Sequence, residues 1–349
     1  MIKTLRIIDL TANSIGGRTG KWLAAFNTQT YRYRVRQIEI IMEFFLNIIS
    51  PKTNKEQLHL GARLRREIHE LGDRPVQQTD FWKETCLALQ RYSQTEDPLN
   101  FTNWPPLIRT IQTTSSSTII ASFLVLRRSP EWKNIWRPVL RHRRYGRPPA
   151  FLFYPLTNPI TVQHAGHLHF FNKATGKSFF DVDCIVDLGA GYGSMCRLIT
   201  KLGFNGRYLI FDQPPMLPVQ RYFLALHGID SDYEKGSSSV ILFPRIENLI
   251  ELLNKEKYGK VAVISTWALS EMPINLRNEI DPILSNGYCK NTLLAYQSNF
   301  TYGSGFEGID NPGFFNSLLL RHNKDDEGWN WTKAEVPYHP GNYYLFGSR

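Results

Sequence analysis

Apolar residues along this 349-residue chain follow two rhythms, and the change from one to the other falls near the middle. Up to about residue 150, hydrophobic positions recur every three to four residues over 33–49, 55–71, 79–92 and 118–126, which predicts amphipathic helices. Proline and serine segments around Pro105 and Ser115 separate them. Beyond residue 180 the pattern becomes short, nearly continuous apolar runs at 184–188, 207–211, 240–243, 261–265 and 292–297, with helical stretches between. Runs of that kind suit strands buried on both faces of a parallel sheet. Two final segments, 334–338 and 343–346, flank a Pro-Gly turn and predict an antiparallel hairpin. The alternation predicts an α/β fold: a doubly wound, seven-stranded sheet over about 151–349, preceded by a mainly helical domain over 1–150. That first domain is expected to be a cap, an oligomerisation unit of a homo-oligomer, or a substrate-binding element.

Charge reinforces this division. Residues 1–150 carry 24 Lys and Arg against 12 Asp and Glu, whereas 151–349 carry 17 against 19, so the overall +10 resides in the first half. Hydrophobic content of 42% supports a large core and excludes a disordered or fibrous chain. The longest apolar run, 38–50, contains Glu39 and Glu43 and is shorter than the ~20 residues that span a bilayer. The N-terminus lacks the apolar core and cleavage site of a signal peptide, so a cytoplasmic location is expected. Cys86, Cys184, Cys196 and Cys289 show no paired spacing, which predicts free thiols and neither disulfides nor a zinc site.

The stretch 185–199, IVDLGAGYGSMCRLI, holds the most specific chemistry. A buried strand ends at Asp187, Gly189, Gly191 and Gly193 allow a sharp turn, and a helix starts at Ser194. Glycines there let a ligand approach the backbone, and the helix N–H groups point at it. Ser194 occupies the position of the third glycine in a dinucleotide fingerprint, which argues against NAD. A second strand, 207–211, ends at Asp212, where a carboxylate can accept both hydroxyls of a ribose in bonds of roughly 1.5–3 kcal/mol each.

Together with 210–229, IFDQPPMLPVQRYFLALHGI, these residues resemble the sugar O-methyltransferases of bacterial surface-polysaccharide clusters. Asp187, Gly189, Gly191, Tyr192, Gly193, Asp212, Pro214, Gln220 and Tyr222 follow that family's order, and 264–273 and 336–348 are similar to its fourth-strand loop and closing hairpin. The likeness spans about residue 164 to the C-terminus. It implies a Rossmann-like, S-adenosylmethionine-dependent methyltransferase that moves a methyl group to a hydroxyl of a sugar or glycan precursor in polysaccharide biosynthesis. Cofactor contacts are then expected from Asp187, Gly189, Gly191, Tyr192, Gly193, Asp212, Gln213 and Trp267. The third strand has no acid at its end, which leaves the adenine contact unassigned.

Methyl transfer from a sulfonium needs alignment and the removal of one proton. Glu271, in the loop after the fourth strand, ranks first as base, followed by His339 in the final turn and His167. His164, Asn299 and Tyr302 are expected to touch the acceptor. The cluster His164, His167 and His169 has no carboxylate nearby in sequence, so no metal is expected. Residues 126–147 carry eight Lys and Arg, one acid and three aromatics, which suits a clamp on a phosphorylated or nucleotide-linked acceptor. A solvated helix face reads equally well, and no nucleic-acid module is visible. Methyl transfer to RNA, protein or another small molecule, and a non-catalytic cofactor-binding scaffold, are the alternatives.

Overall fold

In a computed structural model, described over residues 5–10, 29–48, 55–72, 77–111, 115–234, 236–298, 310–324 and 328–349, one sheet organises the chain. Its strands are β1 (Leu5–Ile8), β2 (Cys184–Leu188), β3 (Arg207–Phe211), β4 (Ser231–Tyr233), β5 (Val240–Phe243), β6 (Val261–Thr266), β7 (Cys289–Gln297), β8 (Asn330–Glu335) and β9 (Asn342–Ser348). Their order is β1-β8-β9-β7-β6-β2-β3-β5-β4. All pairings are parallel except those of β9, which runs antiparallel to β7 and β8. The chain builds outward from β2 through β3, then returns to β6 and builds the other way. The reversal beside β2 opens a crevice at the carboxyl ends of the strands, where ligands bind in such sheets.

All seven expected strands are present, and the sheet gains one more at each edge, β1 and β4. The hairpin is shifted: 334–338 was expected as strand, but β8 ends at Glu335. Pro337 brings no N–H to a ladder and Tyr338 lies at φ 57°, so the chain turns before it can pair.

The helices are α1 (Gln29–Ile48), α2 (Lys55–Gly72), α3 (Asp80–Thr95), α4 (Pro105–Thr110), α5 (Ser117–Arg128), α6 (Arg137–Leu140), α7 (Pro159–Thr175), α8 (Ser194–Lys201), α9 (Met216–Leu226), α10 (Ile246–Glu256), α11 (Ala268–Glu271), α12 (Ile274–Ser285) and α13 (Asn311–Lys324). Strand residues alternate between two cores. Ile185, Tyr208, Ile210, Ala262 and Ile264 face one, and Val186, Leu188, Leu209, Val261 and Val263 face the other. On the first side pack α5, α7, α8 and α9; on the second, α10, α12 and α13.

Packing continues across residue 150. Leu64 and Ile68 of α2, Leu89 of α3, Leu107 of α4 and Ile119, Ile120 and Phe123 of α5 belong to the same core as β2 and β3. Each such side chain contributes about 1.5–3 kcal/mol on burial. Glu67 of α2 pairs with Arg221 of α9 at 2.6 Å and accepts the Tyr233 hydroxyl at 2.9 Å, tying the first half to the β4 edge. In 126–147 the aromatics point inward: Trp136 is buried and Trp132 packs edge-on against Phe123. They offer no stacking platform, while Arg127, Arg128, Lys133 and Arg137 are exposed. Among the described residues no helix is long and apolar enough to cross a membrane.

Candidate functional site

The cleft is built around the tip of β2. Asp187 sits on the last turn of the strand, 2% exposed, and accepts the Tyr208 hydroxyl at 2.7 Å. Burial pushes its carboxyl up to about 7, although the Tyr208 bond opposes this. Gly189 follows at φ 77°, a conformation that side chains rarely adopt, and a Cβ there would lie 2.2 Å from Cβ of Ala268. The loop therefore crosses directly under α11. At Gly191, φ 60°, a Cβ would lie 3.3 Å from Cγ2 of Ile111, and Gly193, at φ 92°, ends the turn before α8.

Asp212 lies at the tip of the adjacent strand β3. Its Oδ1 accepts the Gln213 backbone N–H at 2.7 Å and its Oδ2 accepts Gln220 Nε2 at 2.6 Å. The same Gln220 amide donates to the Gly191 carbonyl at 2.9 Å, locking the glycine loop to the carboxylate. A carboxylate offers about four acceptor positions, and with the Gly191 backbone also bonding to it, part of that capacity remains for a ligand. Burial raises this group to about 7 as well, and the charge of Asp187 adds to the rise. Sequence reading placed Gln220 in a family pattern without a role; its bridging bonds supply one.

Beyond β6, Trp267 adopts φ 75° and ψ −39°, a costly conformation for a bulky residue. Its N–H is held by the Ala295 carbonyl at 2.7 Å, and Ser265 ties the turn back to Leu188 and Leu269. The turn delivers Glu271 to the cleft wall. Trp82 Nε1 donates to Glu271 Oε2 and Gln297 Nε2 donates to Oε1, both at 3.1 Å. Burial pushes the Glu271 carboxyl up to about 8 against the pull of these donors and of Arg277.

Asp187, Gly189, Gly191, Tyr192, Asp212, Gln213, Trp267, Glu271 and His164 line one cleft. Gly193 stands just behind it at the helix start. His164 is buried, and desolvation pushes its imidazole down to about 3. The other two histidines stand elsewhere. His167 is buried behind the wall, with Nδ1 at 2.7 Å from the Tyr344 hydroxyl and its ring 6.2 Å from Trp267. His339 is exposed in the turn after β8, its ring 5.9 Å from that of Trp267. Neither forms part of the cleft wall, so Glu271 is the candidate base at the wall itself. Asn299 and Tyr302 lie outside the described residues.

What the sequence reading missed comes from the first half of the chain. Gln78, Thr79 and Trp82 at the start of α3, with Thr110 and Ile111 at the end of α4, complete the cleft wall. The only sequence signal was the amphipathic stretch at 79–92, in which Phe81 and Trp82 are adjacent and so must face different surroundings. Among the described residues no cluster of His, Cys, Asp and Glu is arranged to hold a metal ion.

No protein-family model and no curated protein matches the chain. Solved structures similar to it include a SAM-dependent methyltransferase from Aquifex aeolicus, 13% identical, covering 52% of this chain and 90% of that one, with a TM-score of 0.34. A fibrillarin pre-rRNA processing protein from Methanococcus jannaschii is 12% identical over 49% of this chain and 67% of that one, with a TM-score of 0.34. The plantazolicin methyltransferase BpumL, in a complex with a substrate analogue and SAH, is 12% identical over 52% and 80%, with a TM-score of 0.33. At such scores the likeness identifies no activity, so activity is argued from the cleft's own geometry.

Proposed function

We propose that the cleft binds S-adenosylmethionine and that the protein transfers its methyl group to a hydroxyl of a sugar-like acceptor. The observation that carries this reading is the pair of carboxylates at consecutive strand tips, Asp187 and Asp212, with a glycine turn between them that Gln220 locks in place. The residues fit the cofactor. Gly189 and Gly191 put backbone without a side chain at the cleft, the Asp212 carboxylate keeps acceptor capacity for a diol, and Gln213 Oε1 and His164 Nδ1 are buried without hydrogen-bond partners. Asp187, Asp212 and Glu271, crowded into one desolvated cleft, favour a cationic ligand.

When bound, S-adenosylmethionine supplies a methyl group activated by its sulfonium. Asp212 would hold hydroxyls, the Gly189–Gly191 backbone would lie against the ligand, and Trp267 and Ile111, which line the same cleft, would exclude water. Glu271 lines the same cleft, so this carboxylate would accept the proton of the acceptor hydroxyl. A group near pH 8 is well poised for that role, and general-base catalysis contributes about 10²–10⁴-fold. Sugar as acceptor rests on the resemblance of 164–349 to the sugar O-methyltransferases.

Calorimetric titration with S-adenosylhomocysteine, and with NADH in parallel, tests the reading. Micromolar binding of the former alone supports it. Binding of NADH alone, or of neither, removes it.

A further inference from the structure

A second hollow opens beside the cleft and shares three of its wall residues, Gln78, Thr79 and Pro273. It lies between the start of α3, the start of α12 and the region of α13. Thr79 occupies the N-cap position of α3 with extended backbone, φ −76° and ψ 160°, where a threonine hydroxyl ordinarily accepts a bond from the helix's first turn. It makes no such bond. Thr79 is only 8% exposed, and its Oγ1 is buried without a partner. The neighbouring Gln78 Oε1 is buried in the same condition. Two oxygens thus wait at the junction of the hollow and the cleft, where burial without a hydrogen bond is unfavourable.

Among the described residues, the rest of the hollow is rich in acceptors and poor in available cations. Asp80 and Asp310 flank it, with Asn278 and Ser317 as neutral polar groups. Arg321 is paired with Asp281 at 3.0 Å. Arg277, beneath the hollow, donates to the Met272 and Ser270 carbonyls and to Asn311 Oδ1. Among the described residues a phosphate here would meet two carboxylates and guanidiniums already engaged in bonds, whereas hydroxyl or ammonium donors would find the oxygens of Gln78, Thr79, Asp80, Asn278, Asp310 and Ser317.

We propose that this hollow binds the acceptor, and that the part of the acceptor lodged there is a polyhydroxylated, non-phosphorylated unit, neutral or amino-substituted, whose hydroxyls donate to Thr79 Oγ1 and Gln78 Oε1. The proposal rests on the methyl-transfer reading above. It sets the phosphate expected for the basic segment 126–147 outside the acceptor site. It also makes the first half of the chain, through Gln78, Thr79 and Trp82, the part that selects the acceptor.

The test uses the full chain saturated with S-adenosylhomocysteine and saturation-transfer NMR. The probes are the methyl glycosides of neutral hexoses and deoxyhexoses, the matching amino sugars, and hexose phosphates. A neutral or amino sugar is expected to bind at least tenfold more tightly than any hexose phosphate. Thr79→Val, with S-adenosylhomocysteine held at saturation for the variant, should weaken that sugar fivefold or more. Where Thr79→Val fails to fold, Gln78→Leu carries the same expectation. Preferential binding of a hexose phosphate, parental affinity in the variant, or no binding by any probe to the loaded protein overturns the proposal. Failure of the parent to bind S-adenosylhomocysteine is a separate result, which removes the methyl-transfer reading and this one with it.

Discussion

Glu271 is held by one donor from each half of the chain, Trp82 from α3 and Gln297 from β7. Glu271→Gln keeps the shape and removes the base, so turnover should fall by about 10²–10⁴-fold with S-adenosylhomocysteine affinity nearly intact. An unimpaired variant in a steady-state assay would remove Glu271 from that role. Trp82→Phe should act differently. It deletes an N–H that favours the charged carboxylate, so the acid limb of the pH–rate profile should move to higher pH while the plateau survives. At Asp212, alanine should weaken S-adenosylhomocysteine binding in calorimetry with little change in melting temperature; equal affinity would refute the diol assignment. The two aspartates and the glycines were legible in the sequence because strand ends and tight turns are local features. Trp82 was not, because its partner Glu271 lies 189 residues away and only tertiary packing brings them together.

Among the elements, the central strands were legible because burial on both faces writes a continuous apolar run. The edge strands β1 and β4 were not: SDY carries no apolar period, and four residues of β1 are too few to distinguish a strand from a turn of helix. The helix pair α5 and α7 shows how closely the halves meet. A Cβ at Gly166 would lie 2.6 Å from Ser122 Oγ and 2.7 Å from Ser122 Cβ. Gly166→Leu should therefore force these helices apart and destabilise the fold by about 1–3 kcal/mol or more, seen as a lower urea midpoint. An unchanged midpoint would mean that the α5–α7 contact yields easily.

For the whole molecule, the crowded acids make stability depend on pH with an unusual sign. Asp187 and Asp212 near 7 and Glu271 near 8 are all raised above their unfolded values, so between about pH 4 and 8 the folded state holds protons that the unfolded chain has released. Their contribution is complete below the unfolded values and is lost as pH rises through the folded ones. The buried His164 and His227, both pushed down to about 3, oppose this only below pH 6.5, where the unfolded chain takes up protons. Melting temperature should therefore decline from pH 6.5 to 8 and decline less in Glu271→Gln; a flat profile in the parent would contradict the burial of these acids. A cationic ligand should reverse the trend by drawing the protons off.

The outermost strand has a consequence for how the molecule is made. Residues 5–8 pair with 331–334, so β1 must stay unpaired until β8, 326 positions later (331 − 5), has been synthesised. Until then neither β1 nor, once emerged, the flank of β8 has its neighbour, and an unsatisfied strand edge invites pairing with another chain. Nascent protein, or protein from which β1 has been deleted, should be the form that aggregates.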